Sequence, residues 1–231
     1  MSLIVHIDTS LENAFVCLAN NGAIVQTVTN AVQKEHASFV HEAVQQMVQS
    51  QLLKWSDVSA IAVTEGPGSY TGLRVGMSSA KGLCYALNLP LIVISTLDMI
   101  AAGLIDAQNK DETAKRLYCP LIDARRMEVF TAVYDDQLDI IEQPQAKILD
   151  AHSYETLLQE QNMVFGGSGA SKFEKICLHP KATFAKTINL PAAMCRLAIE
   201  KWVKKDFADL AISQPFYLKE HQTIPSPSVG S

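Results

Sequence analysis

The chain opens with apolar residues in alternation and in short runs, not at helical spacing. Residues 3–7 (LIVHI), 14–20 (AFVCLAN) and 24–29 (IVQTVT) read as strands. Asn21-Gly22, between the second and third, suits a two-residue hairpin turn because both residue types tolerate positive φ. The start is therefore an antiparallel meander. The period changes near residue 36, where Val40, Ala43, Val44, Met47 and Val48 begin to recur at helical spacing and continue to about residue 53. A strand over 58–63, a helix over 72–87, a strand over 90–95 and a helix over 96–105 complete the first half. A meander followed by strand–helix–strand–helix predicts an α/β fold, a mixed sheet with helices against it.

The polar stretch 106–116 (DAQNKDETAKR) marks a boundary. Beyond it the order recurs in kind. Strands over 117–123 and 128–135 flank a hairpin at Ala124–Met127, a third strand covers 138–142, and helices lie near 153–161, 170–177 and 191–205. The reading is two lobes, 1–105 and 106–218, each opened by a meander, with a mobile tail over 219–231. The letters themselves show no repeat.

Composition narrows the function classes. Hydrophobic residues make up 48% and charged residues 19%, which supports a sizeable core and excludes a disordered chain. A net charge of −5 disfavours a stand-alone nucleic-acid binder, which needs lysine and arginine to release counterions. The cysteines, Cys17, Cys84, Cys119, Cys177 and Cys195, include no C-x-x-C pair, so they read as small buried hydrophobes in a reducing compartment rather than a disulfide framework or zinc ribbon. No cationic leader and no run of about 18 apolar residues stands out, so a soluble cytoplasmic chain without a membrane span is expected.

Glu65–Arg74, EGPGSYTGLR, is the densest motif. It lacks the lysine and the spacing of a Walker A loop, and Gly66, Gly68 and Gly72 miss the dinucleotide fingerprint by one residue. Two readings stay open: an anion pocket at Ser69 and Thr71 on a helix N-terminus, or a tight turn that needs glycine. The helix behind it carries a seam of small residues, Gly72, Val75, Gly76, Ser79, Gly82 and Ala86, that would let another backbone come close. A second face, Arg74, Ser78, Lys81 and Tyr85, is solvated or partner-facing. Asp8-Thr9-Ser10 ends the first strand, Asp123 ends the first strand of the second half, and Gly166–Gly169 follows a short strand (MVF). These are the candidate phosphate or nucleotide contacts: Asp8, Thr9, Ser10, Ser69, Thr71, Asp123, Gly166 and Gly167. One strand-end aspartate per lobe resembles the layout of actin-like ATPases. His36 and His41 sit five apart, about 140° round a helix, so they are no i, i+4 metal pair, and no nucleophile signature is present.

HIDTS at the start, EGPGSYTGLRVG in the middle and LIDARRMEVF at the lobe boundary together resemble the TsaB (YeaZ) family, over most of the chain up to about Leu218. The resemblance implies a two-lobed actin-like ATPase (ribonuclease H-like) fold. It implies a non-catalytic relative of TsaD that supports threonylcarbamoyl transfer to the adenosine 3′ of the anticodon in tRNA, with TsaE, an ATPase, in the assembled complex. Catalytic relatives carry a His-x-x-x-His metal pair; Thr96 and Ile100 stand at those positions here, so no catalytic or metal residue is assigned. Pairing with TsaD is implied to use the first-lobe helices, and the same surface allows a homodimer. The interface residues are then Val44 and Met47 on the first helix, with Gly72, Arg74, Val75, Gly76, Ser78, Ser79, Lys81, Gly82 and Tyr85 on the second. Contact with tRNA comes only through the complex. No cofactor is required by this chain, although ATP or ADP with Mg fits the complex interface. The alternative is a stand-alone nucleotide-binding phosphotransferase or ATPase of the same fold. His6, Met127 and Lys219 depart from the family's usual residues.

Overall fold

The computed structural model describes residues 2–31, 36–108 and 115–219. The middle of the polar boundary run and the tail beyond Lys219 lie outside them, as does the side chain of His36. The first sheet contains β1 (Leu3–Asp8), β2 (Ala14–Asn20), β3 (Ala23–Asn30), β4 (Ala60–Gly66) and β5 (Leu91–Ser95), in the order β3-β2-β1-β4-β5. β1 pairs antiparallel with β2 and parallel with β4. Asn21 and Gly22 take positive φ in the β2–β3 turn, as the sequence predicts. The second sheet contains β6 (Arg116–Asp123), β7 (Glu128–Tyr134), β8 (Ile140–Ile148), β9 (Asn162–Gly166) and β10 (Ala182–Phe184), ordered β10-β9-β6-β7-β8. Both sheets thus have one topology: a meander whose first strand also pairs parallel with the strand that follows it through a helix. This duplication is the predicted two-lobed actin-like α/β fold.

The helices are α1 (His36–Ser50), α2 (Tyr70–Leu87), α3 (Thr96–Asp106), α4 (Glu155–Glu160), α5 (Ala170–Glu174) and α6 (Leu190–Lys204). Each buries an apolar face, and these faces set the layers. Val40, Val44 and Met47 of α1 and Met77 and Ala80 of α2 pack on one face of the first sheet with Val5, Ile7 and Val63. The opposite face, with Ile4, Cys17, Ala62 and Ile92, is covered by Met99 of α3 and by Met194, Cys195 and Ala198 of α6. Leu97, Ile100 and Leu104 of α3 reach across to Tyr118, Ile122 and Tyr134 of the second sheet, so α3 is the shared layer between the sheets. Phe165, Phe173 and Tyr154 fill the outer side of the second sheet. β1 and β4 lie at the centre, buried on both faces, which is why they read as continuous apolar runs.

One division departs from the sequence reading. α6 and the segment after it do not belong to the second lobe; they return to the first. The Ala208 amide donates to the Leu91 carbonyl at 2.8 Å, and the Phe216 amide to the Glu65 carbonyl at 2.7 Å. The periodicity of α6 showed that it buries a face but not which sheet receives it. Lys219 is held as well, in an ion pair with Glu128. Met127 causes no strain in the β6–β7 hairpin, because the positive φ values fall on Arg125 (72°) and Arg126 (46°).

Candidate functional site

The strand-end turn and the glycine loop meet, and they fill one another. Oδ1 of Asp8 accepts from the Ser10 amide (2.9 Å), the Ser10 hydroxyl (2.6 Å) and the Thr64 hydroxyl (2.7 Å). Asp8, Thr9 and Ser10 are all buried. The Thr9 hydroxyl donates to the Gly72 carbonyl at 2.7 Å, and the Ser10 carbonyl accepts from the Ser69 amide at 2.7 Å. Ser69 caps α2: its hydroxyl accepts from the Gly72 amide at 3.3 Å, and its carbonyl from the Leu73 amide at 2.8 Å. A phosphate at a helix N-terminus needs free backbone N–H groups. Here the amides of Ser69 and Gly72 are engaged by the chain itself, and that of Leu73 makes the first ordinary helical bond.

Sterics explain the glycines. A Cβ at Gly68 would enter the Ser10 carbonyl, one at Gly72 the Thr9 carbonyl, and one at Gly76 the Thr9 hydroxyl. Gly66 has φ +120°, and the Phe216 carbonyl lies 2.5 Å from where its Cβ would be. The motif is a close backbone joint between β1 and α2, roofed by the returning chain. Thr71 is exposed and outside this joint.

The second lobe builds a similar joint. Gly167 has φ +104° and rests on the Leu121 carbonyl, which accepts from the Gly169 amide at 2.8 Å. Gly166 packs instead against the side chains of Leu104 and Ile188. Asp123 is exposed; its Oδ1 accepts from the Arg125 amide at 2.6 Å and pairs with Lys172. Asp8 and Asp123 are thus each engaged within their own lobe.

α2 divides the predicted interface. Gly72, Gly76 and Ser79 are buried against the chain's own first lobe, and Met47 of α1 lies in the core. These positions are corrected from interface to interior, because close approach to β1 uses their small size. Val44 is the floor of a groove of about 290 Å³ between α1 and α2, lined also by His41, Val48, Trp55 and Leu83. Ser78, Gly82 and Tyr85 are exposed, Tyr85 at 84%, while Val75 is half-buried. Arg74 and Lys81 are exposed in part but engaged. Arg74 lies 4.0 Å over the Tyr70 ring and donates to the Tyr217 hydroxyl at 3.1 Å; Lys81 donates to the Ser213 carbonyl at 2.8 Å. Sequence reasoning missed Phe216 and Tyr217, although two adjacent aromatics in a polar segment were the available signal.

Thr96 and Ile100, at the positions of the relatives' histidine pair, are fully buried at the start of α3. All five cysteines are buried free thiols. Burial pushes Cys84 up to about 11 and Cys119 up to about 12, so neither is a nucleophile at neutral pH. Burial also holds His6 down to about 4, leaving it neutral. Glu65 is half-buried beside the joint, and desolvation raises its carboxyl above the usual range. Among the described residues no helix is long and apolar enough to cross a membrane.

Comparison with known proteins adds the following. The profile of the TsaD family, tRNA N6-adenosine threonylcarbamoyltransferase, matches residues 23–223. The tRNA threonylcarbamoyladenosine biosynthesis protein TsaB of Bacillus subtilis is 30% identical over 163 residues, which is 70% of this chain and 68% of that protein. The TsaB of Escherichia coli is 36% identical over 131 residues, 57% of this chain and 54% of that one. The crystal structure of a Pseudomonas aeruginosa protein with similarity to the peptidase YeaZ superposes with a TM-score of 0.80 at 23% identity, covering 95% of this chain and 100% of that one. That last likeness concerns the fold alone.

Proposed function

The chain belongs to the TsaB family within the wider TsaD family, and from that premise we propose that it is a non-catalytic subunit which pairs with a TsaD protein. Its role lies in the biosynthesis of threonylcarbamoyladenosine in tRNA. The observation that carries the finer reading is the joint: the amides of Ser69 and Gly72 and the Asp8 carboxylate are bonded to Ser10, Ser69 and Thr64. The buried Thr96 and Ile100 support it, since neither offers an imidazole to a metal. Transfer chemistry then resides in TsaD, with TsaE joining the assembled complex and tRNA contacted through it. ATP or ADP with Mg, where present, would be held with the partner rather than by this chain alone.

The surface proposed for TsaD is the α1–α2 groove, lined by exposed Trp55, together with the outer face of α2 that carries exposed Tyr85. A second copy of the chain would use the same face when TsaD is absent. The expected outcome of reconstitution is that tRNA modification by purified TsaD and TsaE depends on this chain, and that Tyr85→Glu weakens co-purification with TsaD while leaving the fold intact. Equal modification without the chain would sink the subunit reading. Titration with ATP and Mg on the isolated chain separates the phosphotransferase alternative: tight binding with turnover by the isolated chain would favour it instead.

A further inference from the structure

Three side chains that the proposed function does not use meet under α6. His6 on β1 and Cys17 on β2 are direct cross-strand partners, so they project from the same face of the sheet. α6 covers that face and brings Cys195 down onto Cys17, with 3.6 Å between the sulfurs. A ring nitrogen of His6 and both sulfurs all lie within 4.8 Å of one another. His6, Cys17 and Cys195 are exposed by 1%, 0% and 1%. Their surroundings are apolar, including Ile4, Ala62, Met99 and Met194, except for the Thr27 side chain, which hydrogen-bonds Cys17 from β3.

The hydrogen bonding of His6 is lopsided. Nδ1 lies 3.3 Å from the Cys17 carbonyl, which can only accept, so Nδ1 carries the proton. The lone pair is then on Nε2, which is buried and has no hydrogen-bond partner. A backbone carbonyl that fixes one imidazole nitrogen is the usual support for a histidine that ligates a metal through the other. The sulfur spacing points the same way. Two thiolates on one tetrahedral zinc, each at about 2.3 Å, stand about 3.8 Å apart. A disulfide would need about 2.05 Å.

We propose that His6, Cys17 and Cys195 form a three-ligand structural site for a thiophilic metal ion, Cu⁺, which three donors complete, or Zn²⁺, which would take a fourth ligand, and that the ion fastens α6 to the first sheet. Thiolate and imidazole donors select these ions over hard cations. Binding displaces the proton from each thiol that becomes a ligand. With Zn²⁺ and two thiolates the site is neutral, which suits its dry surroundings; with Cu⁺ and two thiolates it carries one negative charge. The ligands come from both ends of the sequence, Cys17 and Cys195 being 178 positions apart, so the ion would hold the returning chain in place.

The test is metal content and affinity of the full chain, expressed with zinc or copper supplementation and purified under a thiol-free reductant. The expected result is one ion per chain by native mass spectrometry, retained through gel filtration, with an affinity tighter than about 0.1 µM. Competition with a zinc chelator and with a Cu⁺ chelator tells which ion is native. Cobalt-loaded protein should show thiolate-to-cobalt charge-transfer absorption. Cys195→Ser and His6→Gln should each lose the ion, whereas Cys84→Ser, a buried cysteine outside the cluster, should keep it. Reduced wild-type chain that takes up neither ion overturns the proposal without need of any variant. So does metal retained in Cys195→Ser, or purified protein in which Cys17 and Cys195 are found as a disulfide with no ion.

Discussion

Two glycine-to-alanine changes on the same helix should move stability in opposite directions. Gly82 sits on the outer face of α2, and a Cβ there meets nothing within 4 Å. Gly82→Ala therefore gains helix propensity alone, about 0.8–1 kcal/mol. Gly72 begins the same helix against the end of β1, and its Cβ would penetrate the Thr9 carbonyl oxygen, with the carbonyl carbon at 3.1 Å. That obstacle is backbone, not a side chain that can rotate away. β1 and α2 would have to part by roughly 1 Å to restore van der Waals spacing. Overpacking of this kind costs about 1–3 kcal/mol, and stretching the Thr9 hydroxyl bond to the Gly72 carbonyl removes about 1 kcal/mol more. Net of the propensity gain, Gly72→Ala should lose about 2 kcal/mol, some 3 kcal/mol below Gly82→Ala. In a chain of this size about 2–4 °C corresponds to 1 kcal/mol. Thermal melts at low protein concentration should show Gly82→Ala up by about 2–4 °C and Gly72→Ala down by about 4–8 °C. Equal or higher stability of Gly72→Ala would refute the close joint, and with it the reading of the glycine loop as packing rather than ligand cradle.

Asp8→Ala strips the acceptor from Ser10 and Thr64 in a buried site, and urea unfolding should register a loss of about 3 kcal/mol even with no nucleotide present. Unchanged stability would mean that Asp8 is not the anchor of the joint. Glu65, whose carboxyl is raised by burial, contributes stability that is full below its unfolded value of 4.5 and is lost as pH rises through the raised folded value. Glu65→Gln should therefore gain on the native chain from pH 4 to pH 7 in paired melts; a constant difference across that range would count against this. Tyr217→Ala removes the ring packed at a tilt, 4.9 Å from Tyr70, and the acceptor of Arg74, so limited proteolysis should cut the 206–219 segment faster while the core resists. An unchanged cleavage rate would show that the segment is held elsewhere.

Most elements were legible because one period dominates each. The meander, α1 and α2 have apolar residues on one face, and β1, β4 and β5 are short apolar runs bounded by turn residues. What failed was short, exposed or distant. β10 is three half-exposed residues, too few to carry a period. β8 was expected at 138–142 but runs Ile140–Ile148, an exposed strand at the sheet edge whose polar alternation and Pro144 conceal it. The return of α6 to the first sheet is a long-range choice that its own pattern does not encode. In the site, the glycines announced that something must come close. Only the Ser10 and Thr9 carbonyls show that the visitor is the chain's own strand end, and only the fold brings His6, Cys17 and Cys195 together.

The closed joint and the proposed docking face are two sides of one helix, and this links them. On its inner face α2 is pinned at three places: Ser69 to Ser10, Gly72 to Thr9, and Ala80 and Met77 in the core. The returning chain grips one flank through Arg74 and Lys81. What is left free is the groove beside α1, where Leu83 and Trp55 line the space above Val44, and the outer face with Ser78, Gly82 and Tyr85. A helix held on its inner face and one flank presents these surfaces without further ordering, and preorganisation of this kind strengthens binding by sparing conformational entropy. A loop that had stayed open for a phosphate would have left the α2 N-terminus loosely held. Closing it on the strand end makes α2 a rigid surface, which is what the proposed docking role requires.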